Sequence, residues 1–344
     1  MIDEKRDLDI NRLKPAMKMV ASISDLEISK GMVAMAKADG EFTLFRYERD
    51  GECFTINRYG HVRKDFPALN EAVELLNRKT ELKSAEILCE LYAWDQGRPQ
   101  MLPNLIRWSK GKDRKLGKVH LGVWDLHSVN GIRVLQDYEW ILEELTSWFE
   151  NGERVYVLPF VKPQHPRDLR AFWKTWVEDL GYEGVVVRAN ADIIKVKPVL
   201  DVDAVVVAIN KVGGTGNPNK RYKDQMVSSV RVALMDKEGF FIVLGDCTIA
   251  DPNWQKVFWE LQDLKVSEDS KRVWVQPAVI IQIQYTAVFP GSICEKVSFD
   301  GKYHARGEMQ FCKMRNPRFI RPRGDKQVDS KDLRLEQMEG EGNG

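Results

Sequence analysis

The stretch Ala36-Lys37-Ala38-Asp39-Gly40-Glu41 lies between two apolar segments near the start of the chain. Asp-Gly is a common turn pair, so the sequence predicts a β-hairpin with strands at residues 33–36 and 42–47. Lys37, which lies beside this turn, is also a candidate nucleophile. A lysine amine attacks phosphorus only if burial or nearby cations lower its pKa and if the charge of the phosphate is neutralised. The rest of the sequence must therefore supply those partners.

Two later segments place charged side chains within apolar runs. Glu90 follows Ile-Leu-Cys, and Lys195 and Lys197 alternate with apolar residues. A charge within an apolar run is costly unless it has a partner. Side chains alternate along a strand, so Lys195 and Lys197 share one face and repel each other unless an anion lies over them. These residues are therefore candidate partners of Lys37.

Composition is that of an ordinary globular protein. The chain has 344 residues, enough for two domains, and its 52 Lys and Arg against 51 Asp and Glu give a net charge of only +1. A polyanionic partner must therefore be met by local basic patches. Five scattered cysteines without metal-binding spacing and the lack of an apolar run of about 20 residues predict a cytoplasmic protein without a membrane segment.

The pattern of apolar residues changes near residue 200. Residues 1–200 mix strand and helix patterns, which predicts an α+β domain with antiparallel sheets and flanking helices. Residues 201–328 read as about five short strands and one helix at 253–261, a pattern typical of a small all-β barrel of the OB type. Residues 329–344 predict a short C-terminal helix, over 329–338, and a disordered tail.

A basic segment interrupts the first domain between Gln96 and Lys118. It contains seven Lys and Arg residues, and only Asp113 offsets them. The segment is interpreted either as a solvated loop or as a patch that follows the phosphates of a nucleic acid.

With these motifs in order, the chain resembles the covalent nucleotidyltransferases and most closely the ATP-dependent DNA ligases of the compact, two-domain type. The resemblance runs from about Ala36 to Lys326. It is carried by six short strings, which are Lys37-Ala38-Asp39-Gly40, Asn57-Arg58-Tyr59-Gly60, Cys89-Glu90-Leu91-Tyr92, Trp124-Asp125, Tyr182-Glu183-Gly184-Val185-Val186-Val187 and Lys195-Val196-Lys197. A seventh closes the second domain, Pro317-Arg318-Phe319-Ile320-Arg321-Pro322-Arg323-Gly324-Asp325-Lys326.

The resemblance implies a role for each residue. It assigns Lys37 as the adenylated nucleophile with Asp39 beside it, Lys195 and Lys197 as ligands of the α-phosphate, and Glu183 as the metal ligand. It implies ribose contacts by Arg58 and Glu90 and stacking of Trp124 on adenine. In the second domain, Arg323, Asp325 and Lys326 orient the departing pyrophosphate, and the barrel then swings away about a hinge near residues 198–203. We also expect the charges of Lys195 and Lys197 to lower the pKa of Lys37.

The same resemblance implies cofactors and partners. These are ATP, Mg²⁺ or Mn²⁺, and nicked double-stranded DNA, sealed by a monomeric enzyme in DNA replication or repair. Two departures stand out. Phe42 occupies a position where DNA ligases usually have an arginine, so we expect another residue such as Arg46 to contact the nick. The resemblance also does not extend to the N-terminal helical domain of larger ligases, so we expect the two domains and their loops to grip DNA alone.

Three alternatives stay open at the level of sequence. Guanylyltransferases of the mRNA-capping type share the Lys-x-Asp-Gly and Arg-x-Asp-Lys elements, and RNA ligases share the first of these. The string from Pro317 to Lys326 and the C-terminal barrel favour a DNA ligase over both. A nucleic-acid-binding module with an idle catalytic domain is disfavoured because every catalytic position holds a competent residue.

Overall fold

The computed structural model describes residues 2–5, 10–13, 15–20, 22–110, 114–189, 192–212, 220–250 and 258–339. Structural statements below concern these residues. The chain divides into two compact units, Met1–Lys197 and Pro198–Gly344. Both are rich in β-sheet, with helices on the first unit's sheets. The predicted boundary at residue 200 falls at the first strand of the second unit, Leu200–Asn210.

The first unit contains two sheets. Its described strands are β1 Ile2–Lys5, β2 Lys18–Val20, β3 Val33–Lys37, β4 Glu41–Glu48, β5 Phe54–Asn57, β6 His61–Lys64, β7 Ser84–Asp95, β8 Arg98–Gln100, β9 Val119–Val129, β10 Ile132–Arg133, β11 Val155–Val157, β12 Phe160–Val161, β13 Gly184–Ala189 and β14 Asp192–Val196. The larger sheet has the order β1-β6-β5-β4-β7-β9-β10, with β8 on β7 and β11 on β9. The smaller sheet has the order β12-β3-β13-β14-β2. Most neighbours are antiparallel, as the sequence predicts for this unit.

The predicted hairpin around Asp39-Gly40 is wrong. Strands β3 and β4 do flank the turn, but β3 pairs with β12 and β13 in the smaller sheet, whereas β4 pairs with β5 and β7 in the larger sheet. The turn therefore carries the chain from one sheet to the other, and Lys37 lies at this crossing. The residues of a sheet crossing and of a hairpin look alike locally, because only distant strands decide which partner each strand takes.

Gly40 is required at this crossing because the chain passes close to β7. A Cβ at this position would lie 2.3 Å from the Leu91 carbonyl oxygen and 2.8 Å from Tyr92 Cβ. We expect Gly40→Ala to lower the free energy of unfolding by about 1–3 kcal/mol, because backbone must move to admit the methyl group. Urea unfolding measures this change. Gly117→Ala, whose Cβ would meet nothing within 4 Å, is the matched control. Equal effects of the two substitutions would contradict the close approach.

Helices cover the outer face of the larger sheet. They are α1 Pro67–Asn77, α2 Leu102–Lys110 and α3 Tyr138–Trp148. Their apolar faces join a core with alternate residues of β4, β7 and β9. A second core holds residues of the smaller sheet, the helix α4 Pro166–Trp173 and Tyr92 of the larger sheet, so the sheets pack against each other. Lys37 and Asp39 lie where the chain passes from one sheet to the other. The apolar run at 155–161 forms two strands, β11 and β12, one in each sheet.

The second unit is a sheet that closes on itself. Its described strands are β15 Leu200–Asn210, β16 Ser229–Met235, β17 Phe241–Thr248, β18 Lys265–Glu268, β19 Arg272–Val275, β20 Ile280–Tyr285, β21 Ala287–Phe299, β22 Tyr303–Arg315 and β23 Arg318–Pro322. Five of them pair in a ring in the order β15-β16-β17-β23-β20 and back to β15. The ring encloses an apolar core, and the long β21–β22 hairpin extends it from β17.

Helices of the second unit are short. They are α5 Lys220–Lys223, α6 Phe258–Asp263 and α7 Glu336–Glu339. The helix predicted at 253–261 starts at Phe258 among the described residues, since 251–257 lie outside them. The helix predicted at 329–338 is wrong in length, because residues 329–335 form turns and only the last residues are helical. The predicted tail beyond 339 lies outside the described residues.

No helix among the described residues combines the length and the apolar character needed to span a membrane.

Candidate active site

Three neighbouring strands of the smaller sheet bring Lys37, Glu183 and Lys197 together. Lys37 ends β3 and lies opposite Gly184, the first residue of β13. Val185 pairs with Val196 on β14, so Lys197 follows directly beside Gly184. The Glu183 amide donates a hydrogen bond of 2.8 Å to the Lys37 carbonyl oxygen, which ties the two residues through their backbones. The register of three strands thus places two amines around one carboxylate.

The side chains form an ion-paired triple. Glu183 Oε2 accepts from Lys37 Nζ, and Glu183 Oε1 accepts from Lys197 Nζ. The three side chains are only 10–21% exposed, so water screens these pairs weakly. The neighbouring Gly184 allows the close packing, because a Cβ there would lie 2.2 Å from the Val196 carbonyl oxygen.

The pKa of Lys37 is raised above its usual value, which corrects the sequence prediction. Burial alone favours the neutral amine and lowers the pKa. The carboxylates of Glu183, Glu90 and Asp39 act in the opposite direction and outweigh burial. The pKa of Glu183 is lowered: burial opposes this shift, but the charges of Lys37 and Lys197 outweigh it. Without a bound nucleotide, Lys37 is therefore a protonated ion-pair partner, and its carboxylate neighbours must be neutralised before it can act as a nucleophile.

Asp39 and Glu90 lie on either side of the crossing. Asp39 is buried and accepts a hydrogen bond of 3.0 Å from the Leu102 amide at the start of α2. Glu90 lies on β7, opposite Phe42 of β4 and Gly122 of β9. It raises the pKa of Lys37, so the structure brings it to the same site.

Trp124 packs against the core of the smaller sheet and against a separate apolar cluster of the larger sheet that includes Phe42, Leu44 and Leu88. Its ring centroid is 5.9 Å from that of Phe42. Phe42 is thus a buried neighbour of Trp124, while Arg46 is exposed farther along the same face of β4. Stacking of Trp124 on adenine stays a prediction.

Arg188 is a site residue that the sequence analysis missed. It donates a hydrogen bond of 2.6 Å to Asp125 Oδ2, and its guanidinium carbon lies 3.7 Å from the centre of the Tyr138 ring. The Tyr138 hydroxyl in turn donates to the Trp124 carbonyl oxygen at 2.6 Å. Arg188 therefore holds Asp125 and steadies the backbone at Trp124. The strand period was the available signal, because Arg188 shares a face of β13 with Val186, the partner of Lys195.

Arg58 lies in an exposed turn between β5 and β6. Its guanidinium packs over the Tyr59 ring at 4.6 Å. The preceding Asn57 is buried and accepts hydrogen bonds from the amides of Tyr59 and His61 at 2.9 and 3.0 Å, which fixes the turn. The side-chain amide of Asn57 also donates a hydrogen bond to the Glu41 carboxylate at the start of β4. Lys195 lies on β14 between Val186 and Met19 in register.

The second unit holds Arg323, Asp325 and Lys326 in one ion-paired cluster. Arg323 donates to both oxygens of Asp203 at 2.8 and 2.7 Å and to both oxygens of Asp325 at 2.9 and 2.7 Å. Lys326 Nζ lies 3.3 Å from Asp332 Oδ1 and 3.7 Å from Asp203 Oδ2. Asp203 was missed by the sequence analysis, although its charge within the apolar run of β15 signals a buried pair.

The linker between the two units is shorter than the predicted hinge. Asp203 and the other residues of β15 from Leu200 onward pair with β20, so they belong to a sheet rather than to a flexible linker. Only Pro198 and Val199 of the predicted hinge lie outside regular structure.

His120 is buried among aromatic rings beside the site. Its ring centroid lies 5.9–6.0 Å from those of Tyr92, Trp94 and Tyr156, and its Nδ1 has no hydrogen-bond partner. Burial, helped by the positive charge of Arg154, lowers the pKa of His120 to about 4.

Protonation of His120 should therefore destabilise the protein in acid. An unfolded histidine has a pKa near 6.5, so its stabilising contribution is complete above that pH and is lost as the pH falls toward 4. We expect the free energy of unfolding to drop by up to about 3 kcal/mol from this group, measured by urea unfolding between pH 7 and 4. His120→Phe, which keeps the aromatic packing, should reduce the drop. An unchanged drop in the variant would contradict the assignment.

Among the described residues, no group of three or more His, Cys, Asp or Glu side chains is placed to hold a metal ion.

Comparison with known proteins gives matches to DNA ligases. No family model matches the chain. The DNA ligase of Thermococcus fumicolans is 22% identical in an alignment of 348 residues that covers 93% of this chain, and the chain spans 57% of the length of this curated relative. Among solved structures, the one named Pmar-Lig_Pre matches 90% of this chain and 67% of its own at 15% identity, with a TM-score of 0.58.

A structure from a study of Lig E DNA ligases matches 90% of this chain and all of its own chain. The TM-score is 0.52 at 16% identity. The chain therefore has the fold of the Lig E DNA ligases.

Proposed function

We propose that this protein is an ATP-dependent DNA ligase that seals nicks in double-stranded DNA through a lysyl-AMP intermediate. The observation that carries the proposal is the triple of Lys37, Glu183 and Lys197 at the sheet crossing, in a chain with the fold of DNA ligases. A buried lysine is suited to covalent catalysis if the phosphates of a nucleotide can replace its carboxylate partners.

In the first step, the neutral amine of Lys37 attacks the α-phosphorus of ATP. The bond from nitrogen to phosphorus forms, the bond to the bridging oxygen breaks, and pyrophosphate leaves with its electron pair. The ammonium group of Lys37, which is hydrogen-bonded to Glu183, must first lose its proton to water. Lys195 and Lys197 stabilise the charge that develops on the α-phosphate oxygens. Arg58 and Glu90 contact the ribose, and Trp124 stacks on adenine.

The residues present fit Mg²⁺ or Mn²⁺ with few protein ligands. Mg²⁺ is often held by one or two carboxylates together with substrate phosphates. Glu183 is a carboxylate beside the nucleophile whose lowered pKa keeps it ionised. A bound ion would supply the positive charge that neutralises the phosphates. With Glu183 engaged in this way, Lys37 would lose the partner that most raises its pKa.

The second unit supplies the residues that complete the first step. We propose that its closed ring of strands is an OB-type barrel, which the five-membered order β15-β16-β17-β23-β20 supports. Arg323, Asp325 and Lys326 orient the pyrophosphate during adenylation. The barrel then rotates about the linker at Pro198 and Val199 to grip DNA.

In the later steps, AMP passes from Lys37 to the 5′-phosphate of the nick, and the 3′-hydroxyl then displaces AMP. Nicked duplex DNA is the proposed substrate. A monomeric state and a cytoplasmic location are parts of the same proposal.

Labelling with nucleotides tests this function. The protein is incubated with Mg²⁺ and either α-labelled ATP or α-labelled GTP, and then with nicked duplexes of all-DNA and mixed DNA and RNA composition. We expect ATP alone to label the protein, a chelator to prevent labelling, and the all-DNA nick to be sealed. Labelling by GTP would indicate a capping-type guanylyltransferase, and sealing confined to RNA-containing nicks would indicate an RNA ligase. Either result would overturn the proposal.

A further inference from the structure

The basic segment between Gln96 and Lys118 is organised around a helix rather than an irregular loop. Residues 102–110 form α2, which corrects the loop interpretation of the sequence. The cations Arg98, Arg107, Arg114 and Lys115 are exposed. Lys118 is only partly exposed and pairs with Asp95 at 2.5 Å. The described part of the segment therefore presents several cations to solvent.

The buried residues of α2 show which side of the helix faces the core. Leu105 and Trp108 are 2% and 3% exposed and belong to the core beneath the larger sheet. Arg107, Lys115 and Lys118 all lie 5.6–5.8 Å from the centre of the Trp108 ring. Cations from the middle and from the C-terminal end of the segment thus lie near one buried aromatic ring, whose electron-rich face offsets part of their mutual repulsion.

Asp39 connects α2 to the nucleophile. The buried carboxylate of Asp39, two residues after Lys37, accepts from the Leu102 amide at 3.0 Å and so holds the first turn of the helix. The nine residues of α2 extend about 13 Å from this anchor. That length corresponds to the rise of about four base pairs of DNA. A duplex lying along α2 would therefore be held in fixed register with the amine that reacts.

The charge of this surface is local. The chain as a whole has a net charge of only +1, and the segment from Gln96 to Lys118 has a single acidic residue, Asp113, against seven Lys and Arg residues. A local excess of cations in the sequence of a nearly neutral protein fits a regular array of negative charges better than a single anion.

We infer that the exposed cations of the α2 surface, Arg98, Arg107, Arg114 and Lys115, bind backbone phosphates of the duplex beside the nick. The inference rests on the proposed function, because it assumes a nicked DNA substrate. Phosphate contacts position a duplex without reading its sequence, so the surface should act on every nick alike.

A variant that removes three positive charges tests the α2 surface. The variant is Arg107→Gln with Arg114→Gln and Lys115→Gln. The matched control removes three exposed cations near the other end of β7, Arg78→Gln with Lys83→Gln and Arg133→Gln. Thermal unfolding of both proteins establishes that each is folded. Self-adenylation by ATP without DNA should equal that of the wild-type protein in both.

Binding to a nicked duplex is then measured over a range of salt concentrations. Each phosphate contact contributes about 0.9 to the slope of log affinity against log salt, so the α2 variant should lose about 2.7 from the slope and the control close to nothing. The apparent KM for a pre-adenylated nick should rise in the α2 variant, with kcat unchanged. Equal slopes in the two variants would overturn the inference. It would also be overturned if the α2 variant lost binding to an acidic protein and kept its affinity for DNA.

The length of the duplex provides a second readout. Shortening one arm of the nick to below about four base pairs should weaken binding by the wild-type protein and leave the α2 variant unaffected by that arm. Equal sensitivity to both arms in the two proteins would overturn the inference. Failure of the wild-type protein to become adenylated would overturn the proposed function itself, whereas normal adenylation with an unchanged salt slope would overturn the α2 assignment alone.

Discussion

Lys37→Arg is expected to abolish self-adenylation, by on the order of 10⁴-fold or more. The guanidinium group keeps the positive charge, so the pair with Glu183 and the surrounding sheet should be retained. It has a pKa above about 12, however, and does not become a neutral nucleophile at any pH at which the protein is folded. The substitution therefore separates the charge of Lys37 from its ability to form a bond to phosphorus. Transfer of labelled AMP from ATP measures the loss.

The later chemistry gives Lys37→Arg an internal control. Sealing of a nick that already carries AMP does not need a new bond to the lysine, so we expect that activity to persist. Lys162→Arg is a matched substitution elsewhere, because Lys162 is also ion-paired, with Glu139 and Glu143. It should be labelled at the wild-type rate. Labelling of Lys37→Arg at that rate would show that another residue is the nucleophile.

Lys326→Ala is expected to block self-adenylation while sparing the sealing of a pre-adenylated nick. Lys326 lies in the ion-paired cluster of the second unit, but Asp203 keeps its bidentate pair with Arg323 when Lys326 is removed. The fold should therefore survive a change that removes one cation from the pyrophosphate. Separate assays of labelling by ATP and of ligation of a pre-adenylated substrate measure the two activities.

Lys331→Ala is the control for Lys326→Ala, since Lys331 is an exposed lysine five residues farther along. It should leave both activities unchanged. If Lys326→Ala loses both activities together, the cluster does not act specifically in the first step, and rotation of the barrel between steps loses its support. If it loses neither, the cluster has no role in adenylation.

The resemblance of short motifs to those of the nucleotidyltransferases made part of the site predictable. Glu183 and Lys197 were identified in this way, and the register of β3, β13 and β14 places both beside Lys37. The pairing of β3 and β4 with different sheets was not predictable, because Asp39-Gly40 is as suitable for a crossing as for a hairpin. The close approach of Gly40 to Leu91 decides between the two, and it depends on a strand fifty residues away.

The direction of the Lys37 pKa shift was not predictable either, because it also depends on distant residues. The sequence shows lysines and carboxylates around Lys37, but not which of them contact its amine. In the structure Glu183 lies between Lys37 and Lys197, so the contact is attractive, and the pKa rises. Arg188 and Asp203 were missed for a related reason, since each was an unremarked charge until its partner, Asp125 or Arg323, was located.

Mass spectrometry of the protein incubated with ATP and Mg²⁺ tests the central claim most directly. The account predicts that the intact protein gains the mass of one AMP, that peptide mapping places it on Lys37, and that nicked DNA removes it. No gain in mass, or a gain on any residue other than Lys37, would contradict the account.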